Sequence, residues 1–264
     1  MNIQWYPGHM TKAKRQMQED IKLIDLVIEL IDARIPLSSR NPDIDIIAPG
    51  KARLILMNKC DLADEKKTKE WYQYFTEQGL NVCMINSKNA ADMKQINAVV
   101  NKACAEKIER DRKRGIKNRP VRAMVVGIPN VGKSTFINTY AKKAATKTGN
   151  KPGVTKGKQW IKLSNTLELL DTPGILWPKF EDEKIGTNIA FIGSINDEII
   201  NVEELACELI KKIDTGFDSL EDFAKKRGCL KAGGQFDTLR AANMLLENFR
   251  NGKLGRFTLE EVNG

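Results

Sequence analysis

The feature that most constrains this chain is the octapeptide Gly127-Ile-Pro-Asn-Val-Gly132-Lys133-Ser134. It is set between an apolar run, Ala123 to Val126, and a helix-forming stretch from Thr135 onward. Its spacing, G-x-x-x-x-G-K-S, is that of a phosphate loop. The glycines let the backbone wrap a phosphate, and the N–H groups that open a helix face negative charge. Lys133 is positioned to reach the outer phosphates of a nucleotide as a catalytic residue, and Ser134 to ligate Mg2+. Asn130, Val131, Gly132 and Thr135 complete the nucleotide-binding candidates of this loop. Short apolar runs alternate with helical periods up to Asp171. The expected fold class is therefore α/β, a mostly parallel sheet with helices on both faces.

The runs that build this expectation are Asp25 to Leu30, Arg53 to Met57, Val82 to Ile85 and Ala123 to Val126. Two more strands around Ser164-Asn165-Thr166 predict an antiparallel hairpin over 158–171. Helices are predicted over 10–24, over 64–78 with Asp64 as N-cap and Gly79 as stop, and over 90–110. The basic run from Lys107 to Arg122 reads as a solvated linker. Beyond about residue 180 the pattern turns helical, with Asn201, Ser219 and Asp237 as N-cap candidates. Leu239, Ala242, Leu245, Leu246 and Phe249 share one helical face, and Phe236 and Phe249 read as core. The expected organisation is an α/β domain over 1–178 followed by a small all-α domain over 179–264.

Composition narrows the class. The 264 residues carry a net charge of +9 and 41% hydrophobic residues, enough for a core and compatible with a polyanionic partner. Five cysteines, widely spaced and without Cys-x-x-Cys, argue against a disulfide framework or zinc cluster and for a reducing, cytoplasmic setting. The single histidine, His9, excludes a multi-histidine metal site. No apolar run approaches the roughly 18 residues of a membrane span. The N-terminal stretch lacks a signal-peptide core and carries Glu19 and Asp20, which does not suit a transit peptide.

Three further motifs refine the chemistry. Asp171-Thr-Pro-Gly174 closes an apolar strand: Asp171 can hold Mg2+ through water, and Gly174 can offer its N–H to a terminal phosphate. Thr155, in Pro152-Gly153-Val154-Thr155, can complete the metal shell. Asn58-Lys59-Cys60-Asp61 follows a strand directly. Guanine presents two adjacent donors, N1–H and the 2-amino group, which one carboxylate such as Asp61 accepts together. Adenine lacks that pair and would leave the carboxylate unsatisfied, at about 1–3 kcal/mol or more. The Lys59 stem can cover the base, and Asn58 can tie this loop to the phosphate loop. Asn86 and Ser87, after the next strand, can present a backbone N–H to guanine O6. The order is inverted relative to ordinary GTPases, because Asn58 precedes Lys133. Circular permutation of one closed domain accounts for this when the original termini lie close together.

With these motifs the chain resembles the circularly permuted GTPases of ribosome assembly. Trp5-Tyr6-Pro7-Gly8-His9-Met10 and Asp32-Ala33-Arg34-Ile35-Pro36 extend the likeness to essentially the whole length. The resemblance implies a circularly permuted P-loop GTPase domain followed by a helical domain that helps hold ribosomal RNA. It implies a late step in maturation of the large ribosomal subunit, with GTP hydrolysis stimulated by the particle. Partners would be the large-subunit precursor, its RNA and its proteins, with no membrane, and the protein a monomer off the ribosome. Lys211, Lys212, Lys226, Arg240, Arg250 and Arg256 are among the basic residues such a domain offers to RNA phosphates. The family's Ser-Ala-Lys guanine loop reads Asn86-Ser87-Lys88 here.

Ile175 stands where many GTPases carry a water-orienting glutamine, and the resemblance implies the class with a hydrophobic residue there. The catalytic candidate is then His9, which an imidazole's protonation range suits. Its alternative roles are a helix cap or an RNA contact. Asn130 can help hold K+, as in related GTPases, or be a plain loop residue. Competing functions are a GTPase of another pathway, such as RNA modification, and an RNA-binding scaffold with a vestigial nucleotide site. Intact Lys133, Ser134 and Asp171 oppose the scaffold, and Asp61 opposes an ATPase.

Overall fold

The structure, a computed structural model, describes residues 17–42, 44–116, 119–148, 160–170 and 183–262, excepting the side chains of 45 and 143–148. Six strands form one sheet: β1 (Leu26–Asp32), β2 (Ala52–Asn58), β3 (Asn81–Met84), β4 (Val121–Val126), β5 (Trp160–Lys162) and β6 (Leu167–Leu170). The spatial order is β3-β2-β1-β4-β6-β5. Every pairing is parallel except the β5–β6 hairpin. β1 is central and buried at every residue. Its side chains alternate between faces: Leu26, Ile28 and Leu30 join one cluster, while Val27 joins another with Met124, Val126 and Leu170. Burial of both faces is what a parallel sheet with helices on each side requires.

Among the described residues, four helices of eight residues or more alternate with the strands or follow them at once. α1 (Glu65–Glu77) starts where the Asp64 carboxylate accepts the Lys67 N–H at 2.8 Å, and stops before Gly79, whose φ of +77° only glycine adopts readily. It lays Trp71 and Phe75 against Ile55, Met57 and Val82. The helix expected over 90–110 is two: α2 (Met93–Ala103) and α3 (Ala105–Lys113). Cys104 breaks them with φ −106° and ψ 15°, while its side chain stays in the core. The basic run is a linker only in part, because α3 occupies its first half. Lys107 pairs with Asp111 at 3.0 Å one turn on and with Asp25 at 3.4 Å, and Ile108 packs on the core, so that stretch gains by being helical. Arg122 belongs to β4 and stacks over the Trp160 ring at 4.8 Å. α4 (Lys133–Thr148) follows the phosphate loop.

The later helices are α5 (Glu183–Phe191), α6 (Val202–Lys212), α7 (Leu220–Arg227) and α8 (Thr238–Arg250). Asn201, Ser219 and Asp237 each accept the N–H three residues on, at 3.1 Å. α8 buries Ala241, Ala242, Leu245, Leu246 and Phe249. Leu239 was expected on that face but is 51% exposed. At about 100° per residue it falls at the edge of the roughly 140° arc these five span. Phe236, expected as core, is 40% exposed in a short bridge with Leu230. The buried side chains of α5 to α8 and of the sheet face under α2 and α4 form one contiguous cluster. The division at 178/179 lies outside the described residues. Among the described residues no helix is long and apolar enough to cross a membrane.

After α8 the chain turns at Gly252 (φ +74°) and runs back along the sheet's carboxyl end. The Phe257 N–H donates to Leu62 O at 3.2 Å and the Leu259 N–H to Arg34 O at 2.8 Å.

Candidate functional site

The loops after β1, β2, β3 and β4 leave the same edge of the sheet, the edge where parallel α/β sheets hold ligands. The phosphate loop follows β4. Gly127 has φ +155° and Gly132 φ +104°, and a Cβ on Gly127 would stand 2.4 Å from Leu30 O of β1. Glycine is therefore required both for the path of the loop and for its seat on the sheet. The Lys133 ammonium donates to the carbonyls of Gly127 and Ile128, each at 2.7 Å. Burial pushes its pKa down to about 8. Ser134 and Thr135 are exposed in the first turn of α4.

The loop after β2 holds Asn58, Lys59, Cys60 and Asp61. Asn58 is buried. Its Nδ2 donates to Val131 O at 2.7 Å, inside the phosphate loop, and its Oδ1 accepts from both the N–H and the hydroxyl of Ser87 at 2.8 Å. One amide thus joins the three loops. Gly132 leaves room for it, since a Cβ there would lie 2.4 Å from Asn58 Nδ2. Lys59 and Asn130 are the non-glycine residues with positive φ among those described, at 61° and 57°. Such backbone strain gathers at functional sites. The two are bonded to each other, Lys59 Nζ donating to Asn130 O at 2.7 Å. Cys60 donates its thiol to Met57 O, and burial pushes its pKa up to about 12. Asp61 is exposed, and its carboxylate makes no hydrogen bond or ion pair with the described residues. In the loop after β3, the Ser87 N–H is taken by Asn58, that of Asn86 by Asp92 at 2.7 Å, and that of Lys88 by Asn86 Oδ1 at 2.9 Å. Ser87 therefore buttresses Asn58, and the N–H whose acceptor is most easily exchanged is that of Lys88.

Beneath this surface lies a network that sequence reasoning missed. Asp32, at the end of β1, is buried and takes the Arg34 guanidinium through both oxygens at 2.9 Å. It also pairs with Lys59 Nζ at 3.0 Å. Burial acts to raise the Asp32 pKa, but the Arg34 and Lys59 charges outweigh it and hold the carboxyl well below the usual carboxylate range. Arg34 then donates to the carbonyls of Phe249 and Arg250, the end of α8. Arg250, expected as a contact for RNA phosphate, is instead paired with Asp197 and bonded to the carbonyls of Ala190 and Phe191 that end α5. The signal available for Asp32 and Arg34 was a pair of opposite charges closing an otherwise apolar strand.

The phosphate loop touches the helices directly. Asn130 Nδ2 donates to Gly193 O at 2.5 Å, and the Ser194 hydroxyl to Pro129 O at 2.6 Å. His9, Thr155, Asp171 and Gly174 lie outside the described residues, as does Ile175. Among the described residues no group of three His, Cys, Asp or Glu side chains could hold a metal. The exposed Ser134 hydroxyl suits Mg2+, a hard cation that takes few protein oxygens and keeps water beside a phosphate.

A family model described as a 50S ribosome-binding GTPase matches residues 122–230. That interval contains the phosphate loop and excludes Asn58 to Asp61, as a permuted order demands. Ribosome biogenesis GTPase A of Bacillus cereus is 47% identical, with 98% of this chain and 94% of that protein covered. The protein of the same name from Priestia megaterium is 46% identical, covering 99% and 97%. The crystal structure of GNP-bound YlqF from T. maritima superposes with a TM-score of 0.73 at 33% identity, covering 95% of this chain and 98% of that one.

Proposed function

The chain belongs to the family of ribosome biogenesis GTPase A and is a GTP hydrolase of ribosome assembly, and we propose that it acts late in maturation of the large subunit. In this reading the precursor particle binds the GTP-loaded protein and stimulates hydrolysis to GDP and phosphate. Residues 1–178 form the permuted GTPase domain, and 179–264 meet ribosomal RNA and proteins. The protein is monomeric off the particle and works in the cytoplasm.

The observation that carries the reading is Asn58, whose one buried amide ties the base loop to Val131 in the phosphate loop and to Ser87. A nucleotide spanning those loops has its base beside Asp61 and its phosphates at Gly132, Lys133, Ser134 and Thr135. Asp61 accepts N1–H and the 2-amino group of guanine. Lys133 leaves the loop carbonyls for the β- and γ-phosphates and offsets the charge that builds in the transition state. Ser134 with Thr155, and Asp171 through water, would hold Mg2+, which would supply neutralising charge to the phosphates. Gly174 meets the terminal phosphate. His9 orients the attacking water once the particle is bound, because Ile175 cannot. Asn130 would help hold K+, which would supply positive charge near the phosphates.

The deciding experiment compares GTP and ATP hydrolysis with and without purified large subunits. Turnover of GTP alone, rising sharply with the particle, is expected. GTP turnover indifferent to the particle would remove the large-subunit role. His9→Ala is expected to lower the stimulated rate with GTP affinity unchanged, and unaltered stimulation would exclude the histidine. Equal rates in sodium and potassium buffers would remove the cation.

A further inference from the structure

Asp61 stands on a tight turn, in which the Leu62 N–H donates to Lys59 O at 2.9 Å. A carboxylate that must meet two adjacent donors works only if this turn is held to a few tenths of an ångström. The turn does not hold itself. Arg256, near the C-terminus, donates through Nη2 to Cys60 O and through Nε to Ala63 O, both at 2.9 Å. The Phe257 N–H donates to Leu62 O between them, and Thr258 Oγ1 accepts the Asp64 N–H at 3.2 Å. The backbone from 60 to 64 is thus bonded to one returning segment. That segment is seated at its start by Gly252, where a Cβ would stand 2.7 Å from Leu62 Cδ2. At its far end the Glu260 carboxylate accepts the N–H groups of Leu37 and Ser38 at 2.7 and 3.1 Å.

We propose that this C-terminal strap, residues 252–261, is part of the guanine-reading apparatus, and that Arg256 is the positioning residue that aims Asp61. The proposal rests on the reading of Asp61 as the guanine acceptor. A planar guanidinium suits the task because its two donors are rigidly spaced to span carbonyls on either side of Asp61, which an ammonium cannot do. Coupling is reciprocal: a bound guanine steadies the turn and hence the strap, and a partner that lifts the strap loosens the base.

The test is the affinity ratio of GDP to IDP, measured by equilibrium titration on the full chain. Inosine lacks the 2-amino group and so one of the two bonds to Asp61. The unaltered protein is expected to prefer GDP by about tenfold or more. In Arg256→Ala the ratio should shrink to about two- or threefold, with most of the loss in GDP affinity, and Arg256→Lys should recover only part of it. Equal weakening of GDP and IDP, with the ratio kept, would mean support of the fold alone and would overturn the proposal, as would unchanged binding of both. If Arg256→Ala does not fold by circular dichroism, Thr258→Val carries the same comparison with a smaller narrowing expected. Failure of the unaltered protein to distinguish GDP from IDP and ADP would instead sink the guanine reading itself.

Discussion

Asn58 bonds a carbonyl of the phosphate loop, an amide and a hydroxyl, all inside the protein. Asn58→Ala therefore strands the Ser87 N–H and Val131 C=O without water. The expected loss is about 2–3 kcal/mol of stability, read by urea denaturation, together with at least about a tenfold loss of GDP affinity. An unmoved midpoint would show that the loops are held otherwise. Gly132→Ala should abolish nucleotide binding, because its Cβ collides with that same amide and its φ is positive. Retained binding of labelled GDP would contradict the geometry. Lys133 offers a pH test. With its pKa pushed down to about 8, only the charged form meets phosphate, so GDP affinity should fall as pH rises through that value. Stability should run the other way. The unfolded chain, with a lysine pKa of about 10.4, binds more protons over that interval, so the buried lysine penalises folding less as pH rises from about 8 to 10. Titrations between pH 7 and 9 separate the two slopes.

Elements follow from local signals wherever the signal is a cap or a period. Asp64, Asn201, Ser219 and Asp237 start their helices as their side chains predict. Asp64→Ala should cost about 1 kcal/mol, visible as a lower unfolding midpoint without loss of nucleotide specificity. Misreadings arose where tertiary contact overrode local pattern. The basic run becomes α3 because Lys107 finds Asp111 and Asp25, and Asp25 is remote in sequence. Leu239 has the right residue type for the core face but sits at the edge of its arc, and Ala241 is buried instead.

Across the whole molecule, Asp32 and Arg34 connect Lys59 of the base loop to the end of α8, while Pro129 and Asn130 connect the phosphate loop to the chain after α5. The two loops and the helices thus share one bonded frame. Arg34→Ala removes one charge of a buried pair and should destabilise by about 3–5 kcal/mol. Asp32 contributes stability that is present above the unfolded carboxylate pKa and is lost only as pH falls through its depressed folded value. Without Arg34 that folded value rises, so the acid limb of the stability profile should shift to higher pH. Acid unfolding followed by circular dichroism checks it, and an unshifted limb would mean that Lys59 alone neutralises Asp32.

The α/β class, the phosphate loop, the strand-end segment Asn58–Asp61 and their inverted order were all legible in the chain, because each depends on residues adjacent in sequence. A glycine spacing, a strand-end Asn-Lys-x-Asp and an N-cap act through local backbone geometry. What only the tertiary structure decided is how those pieces are held together: Asn58 reaching Val131, Asp32 shared by Arg34 and Lys59, and Arg256 spanning Cys60 and Ala63. In those contacts a side chain bonds backbone or charge far away along the chain. A carbonyl carries no residue identity, so no pattern in the sequence can announce which arginine will find it.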